Sequence, residues 1–137
     1  MDAVQILILL GGKSKQSNLL AAIKAGLPPR AIAALAERAG VARTVLLQKL
    51  DISESTLARR ARSRQKLTPQ ESDRLVRMAR VYAYATEVFG SEDKARLWMQ
   101  QPIRVLNFTA PFDYLDTEEG ARQIEAVLSH LEHGVFS

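Results

Sequence analysis

The sequence predicts an all-α protein, in which a helix-turn-helix half is joined by one long helix to a smaller helical half. Helix-capping residues and glycines recur along the chain, whereas the alternating pattern of strands is scarce. Residues 69–89 keep apolar side chains at helical spacing, which predicts a helix long enough to bridge the two halves. Residues 42–66 contain a short helix, a polar break and a second helix start. We therefore expect residues 1–80 to form one region, with the helix-turn-helix at about 42–66, and residues 81–137 the other.

The composition is that of a globular protein, and it limits the chemistry available. The chain has 137 residues, of which 47% are hydrophobic, and no cysteine, so disulfides and thiolate metal sites are excluded. The apolar run at residues 3–10 is too short to span a bilayer and lacks the flanks of a signal peptide. We expect a cytoplasmic protein with no membrane contact. The run itself is compatible with a helix or a strand, and the lack of a partner strand favours a helix.

The next segments carry helix start and stop signals in turn. Ser17 is a predicted N-cap for a helix over residues 18–25, which Gly26 ends. Pro29 can open a helix over residues 30–39, and Gly40 ends it. The third helix is predicted at about residues 42–50, with apolar side chains facing inward.

The turn at residues 51–53 leads into a second helix of ten or more residues, with Ser53 as its N-cap. At 100° per residue, Leu57 and Ala61 share the packed side, with Arg64 close to them. The opposite side is the predicted DNA-facing surface, because the second helix of such a motif enters the major groove. Its members are Ser55, Thr56, Arg59, Arg62 and Ser63.

Charge supports this assignment. Five of the eight residues 59–66 are basic, and residues 1–80 have a net charge of +9, whereas residues 81–137 have a net charge of −5. Such a basic half fits a polyanion such as operator DNA. Arg60 lies nearer the packed side, so a structural role and a phosphate contact both stay open for it. Lys66 lies past the helix and is a predicted phosphate contact.

The long helix and the second half have clear helix boundaries, but few residues in them suggest a chemical function. Thr68 and Glu71 form a predicted capping box at the start of the long helix, which Gly90 ends. A further helix is predicted to follow Ser91 and to stop at Pro102. Residues 103–116 are predicted to be irregular, and residues 117–120 start the last helix. Five aromatic residues could form the core of this half or an exposed patch for a partner. They are Phe89, Trp98, Phe108, Phe112 and Tyr114.

A set of short motifs in this half resembles the toxin-binding domain of the Xre/MbcA/ParS antitoxins. The motifs are residues 85–90, 94–95, 98–102, Leu106, Pro111, Leu115, residues 117–120, and residues 127–128 followed by Gly134. Residues 52–53, 56–60 and 67–75 are similar to the DNA-binding half of the same family, so the resemblance covers residues 27–137. The family usually has glycine after the leucine that matches Leu106, and this chain has Asn107 and Phe108 there. Because asparagine tolerates left-handed backbone, the turn can persist.

The resemblance implies an antitoxin of a type II toxin–antitoxin system. Its partners would be a cognate RES-domain toxin, which consumes NAD or transfers ADP-ribose, and the operator DNA of its own operon. The antitoxin would occlude the NAD pocket of the toxin and repress the operon. The implied toxin-facing positions are Trp98, Pro102 and Pro111. A further hypothesis places the end of the chain, Gly134, Val135, Phe136 and Ser137, in that pocket.

Enzymatic activity is not expected, and neither a metal nor another cofactor is predicted. His130 and His133 lie three residues apart, but no third metal ligand is placed near them by the sequence. The acidic pair Glu118 and Glu119 suits a helix N-terminus, and residues 10–14 lack the spacing of a phosphate-binding loop. The alternative function is a stand-alone repressor whose acidic half only dimerises. A homodimer is expected in either case, through residues 69–89 or through the apolar N-terminus.

Overall fold

The computed structural model describes residues 3–12 and 18–134, and within them the chain is all-α, as predicted. The helices are α1 (Ala3–Leu9), α2 (Leu19–Ala25), α3 (Arg30–Ala39), α4 (Arg43–Leu50), α5 (Glu54–Arg62), α6 (Pro69–Phe89), α7 (Glu92–Gln100) and α8 (Glu118–His133). Two short 3-10 turns, Arg104–Leu106 and Pro111–Tyr114, lie between α7 and α8. The apolar N-terminal run is helical rather than extended. The second helix is capped by Asn18, whose side chain accepts a hydrogen bond from the Ala21 amide at 3.1 Å; the predicted cap, Ser17, lies outside the described residues.

Helix α6 is the centre of the fold. Its 21 residues extend about 31 Å at 1.5 Å per residue, and it contacts α1, α2, α3, α4, α7 and α8. The predicted capping box at its start is present: Thr68 Oγ1 accepts from the Glu71 amide at 3.1 Å, and Glu71 Oε1 accepts from the Thr68 amide at 2.8 Å. These bonds satisfy two amides that a helix start otherwise leaves unpaired.

One continuous apolar core runs through both halves. It extends from Ile6 and Leu7 in α1 through Met78 in α6 to Ile124 and Leu128 in α8. The long helix therefore joins the halves as predicted, and it also supplies the core that they share. A surface on one half is for this reason held in a fixed position relative to a surface on the other.

A polar junction holds α7 against the end of α3. The last carbonyls of a helix have no partner within the helix. Here the Tyr82 hydroxyl and Arg96 donate to the Arg38 carbonyl at 2.9 and 3.0 Å. The Gln100 amide donates to the carbonyls of Ala39 and Gly40 at 3.2 and 3.0 Å. These side chains pair the last carbonyl groups of α3, and they thereby hold the acidic half against the basic half.

Two carboxylates at the contacts between helices have lowered pKa values. The Arg38 guanidinium, which binds Glu92 at 3.0 and 3.2 Å, is the main cause of the lowered pKa of Glu92. Burial acts to raise the pKa of Glu71, but hydrogen bonds from Arg60 and from the Thr68 amide, with the Arg60 charge, outweigh it and lower the pKa.

These pKa values predict acid sensitivity. A carboxylate with a lowered pKa in the folded state stabilises the fold above its unfolded pKa, near 4.5, and this stabilisation is lost as the pH falls through the folded pKa. We expect the free energy of unfolding, measured with urea, to fall progressively as the pH is lowered from about 5. Glu92→Gln should be less stable at pH 6 and lose less on acidification.

Glu37 provides the control, since it is exposed and forms no ion pair in the described part of the chain. Glu37→Gln should follow the acid profile of the parent protein. An unchanged acid slope in Glu92→Gln would contradict this account of the junction.

Candidate DNA-binding and partner-binding sites

The helix-turn-helix is built as predicted over α4, the turn at residues 51–53 and α5. Helix α4 ends at Asp51, which adopts the left-handed conformation (φ 57°, ψ 45°), and Ile52 is buried. Ser53 Oγ accepts from the Thr56 amide at 3.1 Å and caps α5. An ion pair between Arg43 and Glu54, at 2.9 Å, joins the starts of the two helices. Both side chains are about half exposed, so this ion pair contributes little to stability.

Helix α5 is shorter than predicted. It has nine residues and ends at Arg62, because Ser63 caps it and Arg64 turns the chain with φ 57°. The helical wheel placed Arg64 and Ala61 on the packed side, and both are exposed. For Arg64 the placement was wrong because the chain leaves the helix before it; Ala61 lies within α5, where Leu57 is the buried residue of the packed side. Regular 100° spacing applies only within the helix.

The exposed cations on and after α5 form the candidate DNA-binding surface. Of the predicted residues, Ser55, Arg59, Arg62, Ser63 and Lys66 are exposed. Arg59, Arg62 and Lys66 form no ion pair within residues 3–12 and 18–134, so their charges are available to phosphates and guanine edges. Ser63 donates its hydroxyl to the Arg59 carbonyl at 2.9 Å, and half-buried Thr56 takes part in the Ser53 cap. The hydroxyl groups of Ser63 and Thr56 therefore form hydrogen bonds at the two ends of α5.

Arg60 has a structural role. Its side chain is 16% exposed and forms an ion pair with Glu71 of α6. Because Glu71 also accepts from the Thr68 amide, Arg60 fixes α5 against the start of the long helix. The ion pair supports the structural alternative for Arg60, and the phosphate contact stays a prediction.

A basic cleft beside α5 was missed by the sequence analysis. It has a volume of about 380 Å³, and its charged lining residues are Arg30, Arg60, Arg64 and Lys66. The two segments that line it are joined at their ends, because the Leu67 amide donates to the Leu27 carbonyl at 2.8 Å. Arg30 is 34 residues before Arg64 in the chain, so only the folded structure brings them together.

The predicted toxin-facing positions occupy different environments. Trp98 is half-buried and packs on Phe89 with ring centroids 5.4 Å apart. Pro111 is buried at the start of a 3-10 turn, so it has a structural role. Pro102 is exposed and lines an open cleft of about 640 Å³ with Leu97 and other residues. Gly134 caps α8, and Val135, Phe136 and Ser137 lie outside the described residues.

Of the two alternatives for the aromatic residues, the core applies to most of the set and the exposed position to Phe108. Phe112 is buried, and Phe89, Trp98 and Tyr114 pack partly against the core. Phe108 is 70% exposed, as are Leu97 and Val105, which the sequence analysis did not single out. With Leu131, which is 44% exposed, four large apolar side chains therefore face outward in this half.

No group of three or more His, Asp or Glu side chains that could hold a metal ion occurs among the described residues. None of the helices found in the described ranges is long and apolar enough to cross a membrane.

The fold and the exposed cations define a class: a helix-turn-helix DNA-binding protein with an appended helical half that presents an apolar surface. The antitoxin Xre-like helix-turn-helix domain matches residues 19–80, and the antitoxin Xre/MbcA/ParS C-terminal toxin-binding domain matches residues 85–134. The chain belongs to the Xre family of antitoxins, which places it in a type II toxin–antitoxin system. Its partners are accordingly DNA and a toxin.

Curated relatives carry the same description. The chain is 34% identical to Antitoxin Xre of Yersinia enterocolitica over 125 residues, which cover 90% of this chain and 84% of the relative. It is 33% identical to Antitoxin Xre of Photorhabdus laumondii over 125 residues, which again cover 90% of this chain and 84% of the relative. A third relative, the Prs ADP-ribosylating antitoxin of Sphingobium sp., is 24% identical over 102 residues, 68% of this chain and 64% of the relative. These relatives are named antitoxins rather than enzymes.

Proposed function

We propose that this antitoxin neutralises a RES-domain toxin by occluding its NAD-consuming active site, and that as a homodimer it represses its own operon in the cytoplasm. One observation carries the proposal: a row of exposed cations on α5 and a set of exposed apolar side chains on the other half are held by one shared core. A single rigid chain can therefore present a DNA surface and a protein surface at the same time.

Charge complementarity supports the NAD-site target. NAD carries negatively charged phosphates, so a pocket that binds it is expected to be lined by positive charge. Residues 81–137 have a net charge of −5, which favours their approach to such a pocket. Occlusion requires no chemistry from the antitoxin, because excluding NAD is sufficient to stop the toxin.

The apolar N-terminal helices are the better candidate for the dimer contact. The apolar side chains of α6 that could have formed an interface, such as Leu75 and Met78, are fully buried within the chain. Ile8 in α1 and Leu20 in α2 are 44% and 61% exposed. We therefore assign dimerisation to α1 and α2 rather than to the long helix, so that two α5 helices read two half-sites.

The test of the proposal is co-expression with the neighbouring gene. The neighbour alone should arrest growth and deplete cellular NAD, and this chain should restore both and co-purify with the neighbour's product. A variant lacking residues 134–137 tests the proposed role of the chain end and should neutralise less well. A harmless neighbour, or NAD loss that this chain cannot reverse, would leave a DNA-binding repressor and exclude the RES-toxin proposal.

A further inference from the structure

The tight turn between α7 and the second 3-10 segment contains an unusual pair of residues. Asn107 and Phe108 both have left-handed backbone, with φ 54° and 61°. Asparagine adopts this conformation readily, but a bulky residue such as phenylalanine does so rarely, because its Cβ meets the backbone. The Phe108 side chain is 70% exposed, so burial in the core does not compensate for the strain.

The surrounding backbone holds this turn in place. The Phe108 amide donates to the Ile103 carbonyl at 2.9 Å, and the Ile103 amide donates to the Thr109 carbonyl at 3.2 Å. Leu106 is 5% exposed and anchors the turn in the core, while its carbonyl accepts from the Tyr114 hydroxyl at 3.4 Å. The side chains of Val105 and Phe108 are consequently displayed outward on a fixed scaffold.

The backbone conformation does not favour phenylalanine at this position, since glycine would adopt the same φ without strain. A strained backbone residue whose side chain is mostly exposed indicates a role outside folding. An aromatic side chain fixed before binding is an effective anchor, because little conformational freedom is lost when a partner covers it.

We propose that Phe108, supported by Val105, is the aromatic anchor that inserts into an apolar pocket of the cognate toxin and determines which toxin this chain neutralises. The proposal rests on the proposed function. The toxin, rather than DNA, is the occupant because the turn lies in the acidic half and within residues 85–134, the segment matched by the toxin-binding family. A second copy of this chain is the competing occupant.

The experiment compares two glycine variants of the full-length chain. Phe108→Gly should raise the melting temperature, measured by circular dichroism, by about 2–4 °C, because the relief of strain exceeds the added freedom of the unfolded chain. Its affinity for the purified product of the neighbouring gene, measured by titration calorimetry, should fall by about 30-fold or more. If Phe108 had a purely structural role, its replacement would not raise the melting temperature and lower the affinity for the toxin together.

Asn107→Gly is the matched control, since it alters the same turn and leaves the aromatic ring in place. Its affinity should stay within about twofold of the parent value. Parent-like toxin affinity in Phe108→Gly would overturn the anchor and leave the proposed function standing, whereas a parent chain that neither binds nor neutralises the toxin would remove both. Conversion of a dimeric free protein to a monomer by Phe108→Gly, measured by light scattering, would assign the ring to a second copy instead.

Discussion

Replacing both Arg59 and Arg62 with alanine should weaken binding to the DNA upstream of this chain's own operon by about 100-fold or more, since each specific guanidinium–base contact contributes roughly 1–3 kcal/mol. Both side chains are exposed on α5 and form no ion pair in the described part of the chain. Folding should therefore be unaffected, and the melting temperature should match that of the parent protein. Fluorescence anisotropy with the operator fragment and with an unrelated duplex measures the effect.

The matched control is the pair Arg64→Ala and Lys66→Ala, which removes two cations from the basic cleft beyond the end of α5. Phosphate contacts are independent of sequence, so this variant should bind operator and unrelated DNA more weakly by the same factor. Its slope of log affinity against log salt should be shallower by about 0.9 for each phosphate that the variant no longer neutralises. Should the Arg59 and Arg62 variant also weaken both duplexes equally, α5 would not read bases.

The sequence predicted the helices because their boundary signals are local. Thr68, Glu71 and Pro69 lie within four residues, and together they define where α6 begins. Ser53 and Gly40 act in the same way at the ends of their helices. Such signals require no knowledge of the rest of the fold, so the all-α class and the helix-turn-helix spacing follow from them.

The candidate sites were predicted less well because exposure and pairing depend on distant residues. The helical angle left the role of Arg60 open, and the contact that supports a structural role is with Glu71, which belongs to another helix. The apolarity of Phe108 left a core position and an exposed position both open, and the folded backbone places the side chain outward. The deciding contacts at both positions arise only after the chain folds.

The two halves are also joined by a contact between α4 and the 3-10 turn Pro111–Tyr114. Lys49 of α4 approaches Asp113 of the acidic half at 3.3 Å and lies over the Phe112 ring, 5.5 Å from its centre. Together with the junction at the end of α3, this contact connects the helix-turn-helix to the turn that precedes α8. A change that displaces α8 should therefore disturb both halves, with the larger effect near the displaced helix.

Gly120 is a position where a minimal substitution should have a large effect on stability. It is the third residue of α8, and a Cβ there would lie 1.9 Å from the Tyr114 carbonyl oxygen and 2.9 Å from Thr117 Oγ1. The first of these atoms belongs to the backbone and cannot move aside alone. Alanine normally favours a helix over glycine by about 1 kcal/mol, but this clash should outweigh it. We expect Gly120→Ala to lower the free energy of unfolding by about 3 kcal/mol.

Gly90→Ala separates this steric effect from backbone preference. Gly90 has φ 69°, and no atom of the described residues lies within 4 Å of a Cβ built there, so alanine should cost only the left-handed conformation, about 1–2 kcal/mol. Hydrogen exchange should show reduced protection around residues 111–134 in Gly120→Ala and a smaller change in Gly90→Ala. Because the 3-10 turn Pro111–Tyr114 carries that carbonyl, toxin neutralisation should weaken at temperatures where operator binding persists. Equal stability of the two variants would contradict the close approach of Tyr114 to α8.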